Sequence, residues 1–160
     1  HDKLHKPIGM RETVTVGPFA VTSVPVLHNA SGAVTFIVEA AGRKLALLFE
    51  TGRITDEMTK FAAGANALLL EANHEPAMLA YGDYPDFLVE RIAATHLSND
   101  SAGAYLRSIK SSPPSLIMLV HLSEHNNHPN LARARVCEAL GDRTAVVVAG
   151  QKEPTEVFEV

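Results

Sequence analysis

The sequence has little sulfur, no excess of positive charge and no long apolar run. Its 160 residues contain a single cysteine, Cys137, so no disulfide can form within the chain and an inert packing thiol is expected. The net charge of −4 excludes a global positive field for nucleic acid, and if the substrate is a phosphate ester, the charge of a bound metal must supply the attraction. No apolar run approaches the roughly 20 residues that cross a bilayer. No signal peptide opens the chain, and we predict a cytoplasmic protein without a membrane partner.

The length and composition are those of one globular domain that can bury a core. We find no internal repeat, no low-complexity linker and no second domain in residues 1–160. Eight histidines against fourteen lysines and arginines is a high proportion, and it motivates a search for metal ligands.

The most informative stretch is Ser115–Asn130, where an apolar run ends in a group of histidines. The run Leu116–Val120 predicts a strand buried on both faces, of the kind found in helix-covered sheets. His121 then stands at the edge of the sheet, where open α/β sheets place their ligand sites.

His121, His125 and His128 could also form a metal site by themselves. Their spacing of four and three would align them on one face of a helix. The asparagines and the proline around them make a continuous helix there unfavourable. We therefore expect His125 and His128 to be exposed and not to bind metal in the main site.

The order of predicted elements changes near residue 50, from strands joined by turns to strands that alternate with helices. The predicted strands are Thr13–Val16, Phe19–His28, Ala33–Ala40, Lys44–Glu50, Ala67–Ala72, Leu116–Val120, Thr144–Ala149 and a last short one at Thr155–Val160. The predicted helices are Thr55–Ala63, Glu75–Tyr81, Pro85–Ala94, Ser101–Ile109 and Pro129–Leu140. Gly141 should end the last helix, and a frayed helix end and a loop should precede Thr13.

Strand after strand delivers a residue that can bind a metal at its C-terminal end. These residues are His28, Glu50, the pair Glu71 and His74, and His121, with His96 on its own loop before a capped helix. Each could be a structural side chain when taken singly. Together they favour a metal site that the fold assembles from strand ends.

Four motifs resemble successive blocks of the metallo-β-lactamase fold hydrolases. They are TGRITDEM from Thr51, LLEANHEPAMLAYGDYP from Leu69, HLSNDSAG from His96 and HLSEHNN from His121. They are most similar to the exonuclease-like group, which is related to the phosphonate-pathway phosphodiesterases and the tRNA 3′-processing endonucleases. The resemblance runs from about Val14 to the C-terminus and implies an α/β fold.

The resemblance implies a role for each matching residue. His28 and His121 match metal-binding histidines, and Glu50 stands where the family has a metal-bridging aspartate. His96 matches a histidine near the scissile phosphate that can donate a proton. The block with Glu71, Asn73 and His74 borders the site, and its role stays open.

Two departures from the family pattern matter. The signature HxHxDH, which supplies most ligands of both metals, is not in this sequence. The chain is therefore expected to be one partial domain, residues 1–160, equivalent to the C-terminal half of an αββα sandwich, with a mixed sheet and helices on one outer face. The missing N-terminal half or another chain would cover the inner face of the sheet. The second departure is Glu50, whose extra methylene displaces the carboxylate from the position of the expected aspartate.

The resemblance predicts a metal-dependent hydrolase that cleaves a phosphodiester, with nucleic acid as the expected substrate class, and two divalent ions in the parent protein. Zn²⁺ is the first choice because histidine predominates, and Mn²⁺ is the second. The isolated fragment should be inactive. The alternative is a catalytically silent module of the same fold that serves binding or assembly.

Overall fold

A seven-stranded mixed sheet organises residues 7–140 and 144–160, which the computed structural model of the protein describes. The strands lie in the sheet in the order of the sequence. They are β1 (Thr13–Val16), β2 (Phe19–Pro25), β3 (Val34–Ala40), β4 (Arg43–Leu48), β5 (Ala67–Glu71), β6 (Leu116–Val120) and β7 (Ala145–Val148). Neighbours from β1 to β4 are antiparallel, whereas neighbours from β4 to β7 are parallel.

Five helices connect or follow these strands. They are α1 (Asp56–Ala62), α2 (Pro76–Tyr81), α3 (Asp86–Thr95), α4 (Asn99–Ser108) and α5 (Pro129–Leu140). The side chain of Thr55 caps α1 by accepting a hydrogen bond from the Met58 amide, and Ser98 caps α4 in the same way from the Ser101 amide. The helix bounds therefore lie close to those that the sequence predicts.

The direction of the strands decides where the candidate ligands lie. Strand β2 is antiparallel to β3, and β3 is antiparallel to β4, so β2 runs in the same direction as β4, β5 and β6. The C-terminal ends of all four strands therefore meet at one edge of the sheet. The segments that carry His28, Glu50, Glu71 and His121 begin or end at that edge.

One face of the sheet forms the core with the helices. The strand register aligns the buried side chains of Ala46, Leu68 and Ile117 in a row across the sheet. The same core cluster includes, from α1, α4 and α5, Met58, Leu106 and Val136. These helices cover one face, as predicted, and hold the strand ends in a fixed frame.

The opposite face of the sheet is apolar and only half-buried. This holds for the alternate side chains of β3 and β4, which are Val34, Phe36, Val38, Leu45 and Leu47. The inner face, which the sequence predicts to be covered by a missing half or another chain, is therefore exposed in part. A further segment or chain that covers it remains a prediction.

Three expectations differ from the structure or lie outside it. The last predicted strand, Thr155–Val160, is wrong: the segment pairs with no strand among the described residues, and Val157 is exposed. Strands β2 and β4 end before His28 and Glu50, which lie in the following loops. Gly141 and the first six residues, part of the predicted frayed helix end, lie outside the described residues.

Among the described residues, no helix combines the length and the apolar character that a membrane crossing needs.

We expect Leu106→Ala to lower the free energy of unfolding by about 2–5 kcal/mol, because the side chain is fully buried and its removal leaves a cavity. The matched control is Leu131→Ala, also in a helix but 44% exposed, which should change stability by less than about 0.5 kcal/mol. Urea unfolding of both variants measures the difference. Equal effects would show that Leu106 does not belong to the core.

Candidate metal centre

Four side chains that the sequence singles out lie together at the C-terminal edge of the sheet. Nε2 of His28 is 3.6 Å from Oε2 of Glu50, and Nε2 of His121 is 3.3 Å from Oε1 of Glu50. The His96 ring lies between the other two imidazoles, with centroid distances of 5.3 Å to His28 and 5.1 Å to His121. The structure thus brings these residues into one cluster, while their roles as ligands and proton donor remain predictions.

Glu50 and His121 reach this edge because their backbone turns left-handed, with φ of 57° and 58°. Side chains alternate along a strand, so an extended backbone would turn Glu50 to the helix face, as it does Leu48. The same reasoning applies to His121 two residues after the buried Leu119. Left-handed backbone costs about 1–2 kcal/mol for a residue with a Cβ, so the surrounding contacts must stabilise both positions.

The loops after β2 and β4 hold each other at the site. The Leu27 amide donates to Oγ1 of Thr51, and the Leu27 carbonyl accepts from the Gly52 amide at 3.0 Å. A Cβ added to Gly52 would lie 2.0 Å from the Ala94 carbonyl oxygen, a severe clash. The absent side chain at Gly52 therefore allows the end of α3, and with it His96, to approach Glu50.

Glu71 is the anion beneath the histidines. Its side chain is 0% exposed. Its Oε1 lies 2.8 Å from Nδ1 of His96 and 2.8 Å from Nδ1 of His121, and its Oε2 accepts from the Thr51 amide at 3.1 Å. An ionised carboxylate can only accept, so both imidazoles carry their hydrogen on Nδ1.

His28, the third histidine of the cluster, also donates from Nδ1, but to a different acceptor. Nδ1 of His28 lies 3.2 Å from the carbonyl oxygen of Thr95, which also only accepts. In the neutral form, all three imidazoles therefore leave Nε2 without a hydrogen. For His28 and His121 this lone pair faces Glu50.

The hydrogen bond between Glu71 and His121 stabilises the charged form of both side chains. Burial pushes the pKa of Glu71 upward, but the hydrogen bonds from His121, His96 and the Thr51 amide together hold that pKa below its ordinary value. The hydrogen bond to Glu71 raises the pKa of His121 above its ordinary value, against an opposing effect of burial. Glu71 is therefore a fixed anion behind the ring of His121.

The donor set fits a divalent cation, and the distances around Glu50 differ from those around Glu71. Two ligands at about 2.1 Å from a tetrahedral zinc lie about 3.4 Å apart, which is close to the 3.3 Å and 3.6 Å around Glu50. Two groups of ligand atoms each lie within 4.8 Å of one another, His28 with Glu50 and His96, and Glu71 with His96 and His121. The 2.8 Å contacts of Glu71 are hydrogen-bond distances instead. Glu71 is thus the carboxylate that orients imidazoles from behind, as in many metal sites.

Sequence reasoning did not assign a role to Glu71. A glutamate that closes an otherwise apolar strand must find donors, because an unpaired buried charge is very costly, and this was the available signal. The Thr95 carbonyl and the Thr51 amide are backbone groups, which leave no signal in the sequence. Their contribution appears only in the fold.

The other histidines of residues 7–140 lie outside the cluster. His125 and His128 are exposed, as expected, and the turn at residues 124–126 is not a helix. His128 instead precedes Pro129 at the start of α5, where its carbonyl accepts from the Leu131 and Ala132 amides. His74 is buried, its Nδ1 has no partner among the described residues, and burial lowers its pKa.

We expect Glu71→Gln to lower the free energy of unfolding by about 2–4 kcal/mol, since the amide replaces an acceptor by a donor that faces N–H groups. The same variant should reduce the Nδ1–H tautomer of His96 and His121 at alkaline pH, measured by ¹H–¹⁵N correlation of the imidazoles. Exposed Glu124→Gln is the control and should change neither quantity. Unaltered tautomers in Glu71→Gln would contradict the orienting role.

No protein-family model matches the chain. Exodeoxyribonuclease YycJ of Bacillus anthracis is 34% identical over 131 residues, which are 81% of this chain and 50% of that protein. Exodeoxyribonuclease WalJ of Streptococcus pneumoniae serotype 2 is 33% identical over 134 residues, which are 82% of this chain and 49% of that protein. The chain spans about half the length of the curated relatives it matches.

Solved structures have the same fold. Zn²⁺-bound PqqB from Methylobacterium extorquens superposes with a TM-score of 0.65 at 21% identity, over 94% of this chain and 55% of that one. The metallo-β-lactamase fold protein YhfI from Bacillus subtilis gives 0.64 at 20% identity, over 86% and 49%. A diphosphatase from the PhnP family gives 0.55 at 16% identity, over 94% and 47%. The predicted fold class is confirmed: the chain has about half of a metallo-β-lactamase fold, and its relatives in sequence include the exodeoxyribonucleases YycJ and WalJ.

Proposed function

We propose that this chain is the C-terminal part of a metal-dependent phosphodiesterase of the nuclease type. The observation that carries the proposal is the cluster at the sheet edge, where Glu50 faces Nε2 of both His28 and His121. Each of these imidazoles has its Nδ1 occupied by an acceptor. The names of the relatives YycJ and WalJ favour DNA as the phosphodiester.

The residues that would hold the metal are His28, Glu50 and His121. Two imidazoles and one carboxylate suit Zn²⁺ first and Mn²⁺ second. When bound, divalent cations supply a water of lowered pKa and offset the negative charge of the phosphate. Three ligands are too few for two ions, so the second half of the site would come from an N-terminal segment.

Glu50 is compatible with a ligand role although the resemblance predicts an aspartate there. Its two oxygens face different histidines, Oε2 toward His28 and Oε1 toward His121. The left-handed backbone at Glu50 turns the longer side chain along the edge of the sheet. Both carboxylate oxygens of Glu50 therefore lie inside the cluster despite the extra methylene.

His96 would donate the proton that the leaving oxygen needs. Its Nδ1–H is held by Glu71, so Nε2 is the nitrogen that can carry a transferable proton. As the bond between phosphorus and the leaving oxygen breaks, that oxygen takes the proton from Nε2. The hydrogen bond to Glu71 fixes the ring so that Nε2 points away from that carboxylate, a general-acid arrangement.

The apolar inner face of the sheet also supports the proposal that this chain is one half of a larger domain. Half-buried Phe36 and Leu47 lie on it and would pack against the N-terminal half or against another chain. A nuclease that acts on the DNA of its own cell would work in the cytoplasm, the location that we propose.

The second candidate is a silent module that binds or assembles. Glu50 in place of an aspartate favours it, because coordination tolerates a displacement of only about 0.2 Å. The retained cluster of three histidines argues for the hydrolase instead.

We expect His96→Gln in the full-length protein to lower kcat on DNA by about 10²- to 10⁴-fold without loss of bound metal. The loss should be much smaller on bis(p-nitrophenyl) phosphate, because nitrophenolate leaves without a proton. Exposed His125→Gln is the control and should be fully active. Equal losses on both substrates would rule out proton donation, and lost metal would make His96 a ligand.

We expect the 160-residue chain alone to bind metal weakly and to lack phosphodiesterase activity, whereas the full-length protein has both. Metal analysis and hydrolysis of bis(p-nitrophenyl) phosphate test the two proteins side by side. Two tightly bound ions and turnover in the short chain would refute the proposal that an N-terminal segment supplies the other metal ligands. A metal-free, inactive full-length protein that recovers on Glu50→Asp would establish the silent module.

A further inference from the structure

Asn73 joins the two loops that carry His96 and His121. The residue is buried directly after β5. Its backbone amide donates to the Leu97 carbonyl at 2.8 Å, and its carbonyl accepts from the Ser123 amide at 2.8 Å. Its side-chain Nδ2 donates to the carbonyl oxygen of His121 at 2.9 Å.

Only the last of these bonds depends on the side chain at position 73. Any residue supplies the two backbone bonds, and the Ala72 amide already holds the Val120 carbonyl at 3.1 Å. The parallel ladder between β5 and β6 ends with the pair Glu71 and Val120. The carbonyl of His121 lies beyond that ladder, on a residue with left-handed φ. It accepts a hydrogen bond from the side-chain amide of Asn73.

We infer that Asn73 is a positioning residue for the cation site, because its side-chain amide fixes the backbone from which His121 projects. His121 is then held at two points, its carbonyl by Asn73 and its Nδ1 by Glu71. Two anchors on one residue define the direction of Nε2 toward Glu50. The inference rests on the proposed function, since it assumes that His121 binds the metal.

Other buried asparagines nearby do not share this role. Asn99 and Asn127 exchange hydrogen bonds at 2.9 Å and 3.0 Å, and Asn127 also donates to the Ala72 carbonyl at 2.7 Å. Neither side chain contacts His28, Glu50, His96 or His121 in these bonds. Asn99 therefore serves as a matched control, a buried amide whose loss affects stability but not the anchor of His121.

The test measures Zn²⁺ affinity of the full-length protein by competition with a chelator, in Asn73→Ala, Asn73→Leu, Asn99→Ala and His121→Ala. We expect both Asn73 variants to bind Zn²⁺ about 10- to 100-fold more weakly, the usual effect of losing a group that supports a ligand. Saturating Zn²⁺ should restore most of their kcat. Asn99→Ala should keep the affinity despite its lower stability in urea. Leucine fills the volume of asparagine, so Asn73→Leu decides the matter if Asn73→Ala does not fold.

Each other outcome has a defined meaning. Unchanged Zn²⁺ affinity in both Asn73 variants, with a loss in His121→Ala, would overturn the inference and leave the metal site standing. An equal loss in Asn99→Ala would reduce Asn73 to a general structural residue. Unchanged affinity in His121→Ala would remove the proposed metal site itself.

Discussion

The buried carboxylate of Glu71 is the interaction on which the site depends. A charge without exposure is tolerated only when donors surround it, and its three donors come from three separate segments. Thr51 follows β4, His96 precedes α4 and His121 follows β6. These hydrogen bonds therefore hold each segment against the end of β5. The cost of burying one charge is offset by bonds that also orient two imidazoles.

The backbone strain at the sheet edge is also offset by contacts with Glu71. Glu50 and His121 both take left-handed φ, which a side chain disfavours. The loop after Glu50 is held by Leu27 and by the Thr51 amide on Glu71, and His121 is held by Asn73 and Glu71. Strain of this kind persists only where the surroundings over-determine it. Here the same carboxylate supports both strained residues.

Much of this arrangement could be predicted from strand direction alone. The apolar runs before Glu50, Glu71 and His121 identify parallel strands, and parallel strands end at one edge. The acceptors behind the imidazoles could not be predicted, because the Thr95 carbonyl and the Thr51 amide depend on how loops pack. The strand predicted at Thr155–Val160 is wrong because residues that favour strands, such as Val157 and Phe158, form one only where a partner edge is available.

The distances within the cluster bear on whether the module is silent. The contacts of Glu50 with His28 and His121, at 3.6 Å and 3.3 Å, exceed the 2.8 Å contacts that Glu71 makes with His96 and His121. A carboxylate free to relax against a protonated imidazole would close to about 2.7–2.9 Å, whereas a neutral one with its hydrogen on Nδ1 turns a lone pair toward Glu50. The distances from Glu50 instead match the spacing of two ligands around one cation, and the left-handed backbone that places Glu50 there costs free energy. A purely structural ion pair does not need that arrangement, so the spacing favours the proposed metal site over the silent module.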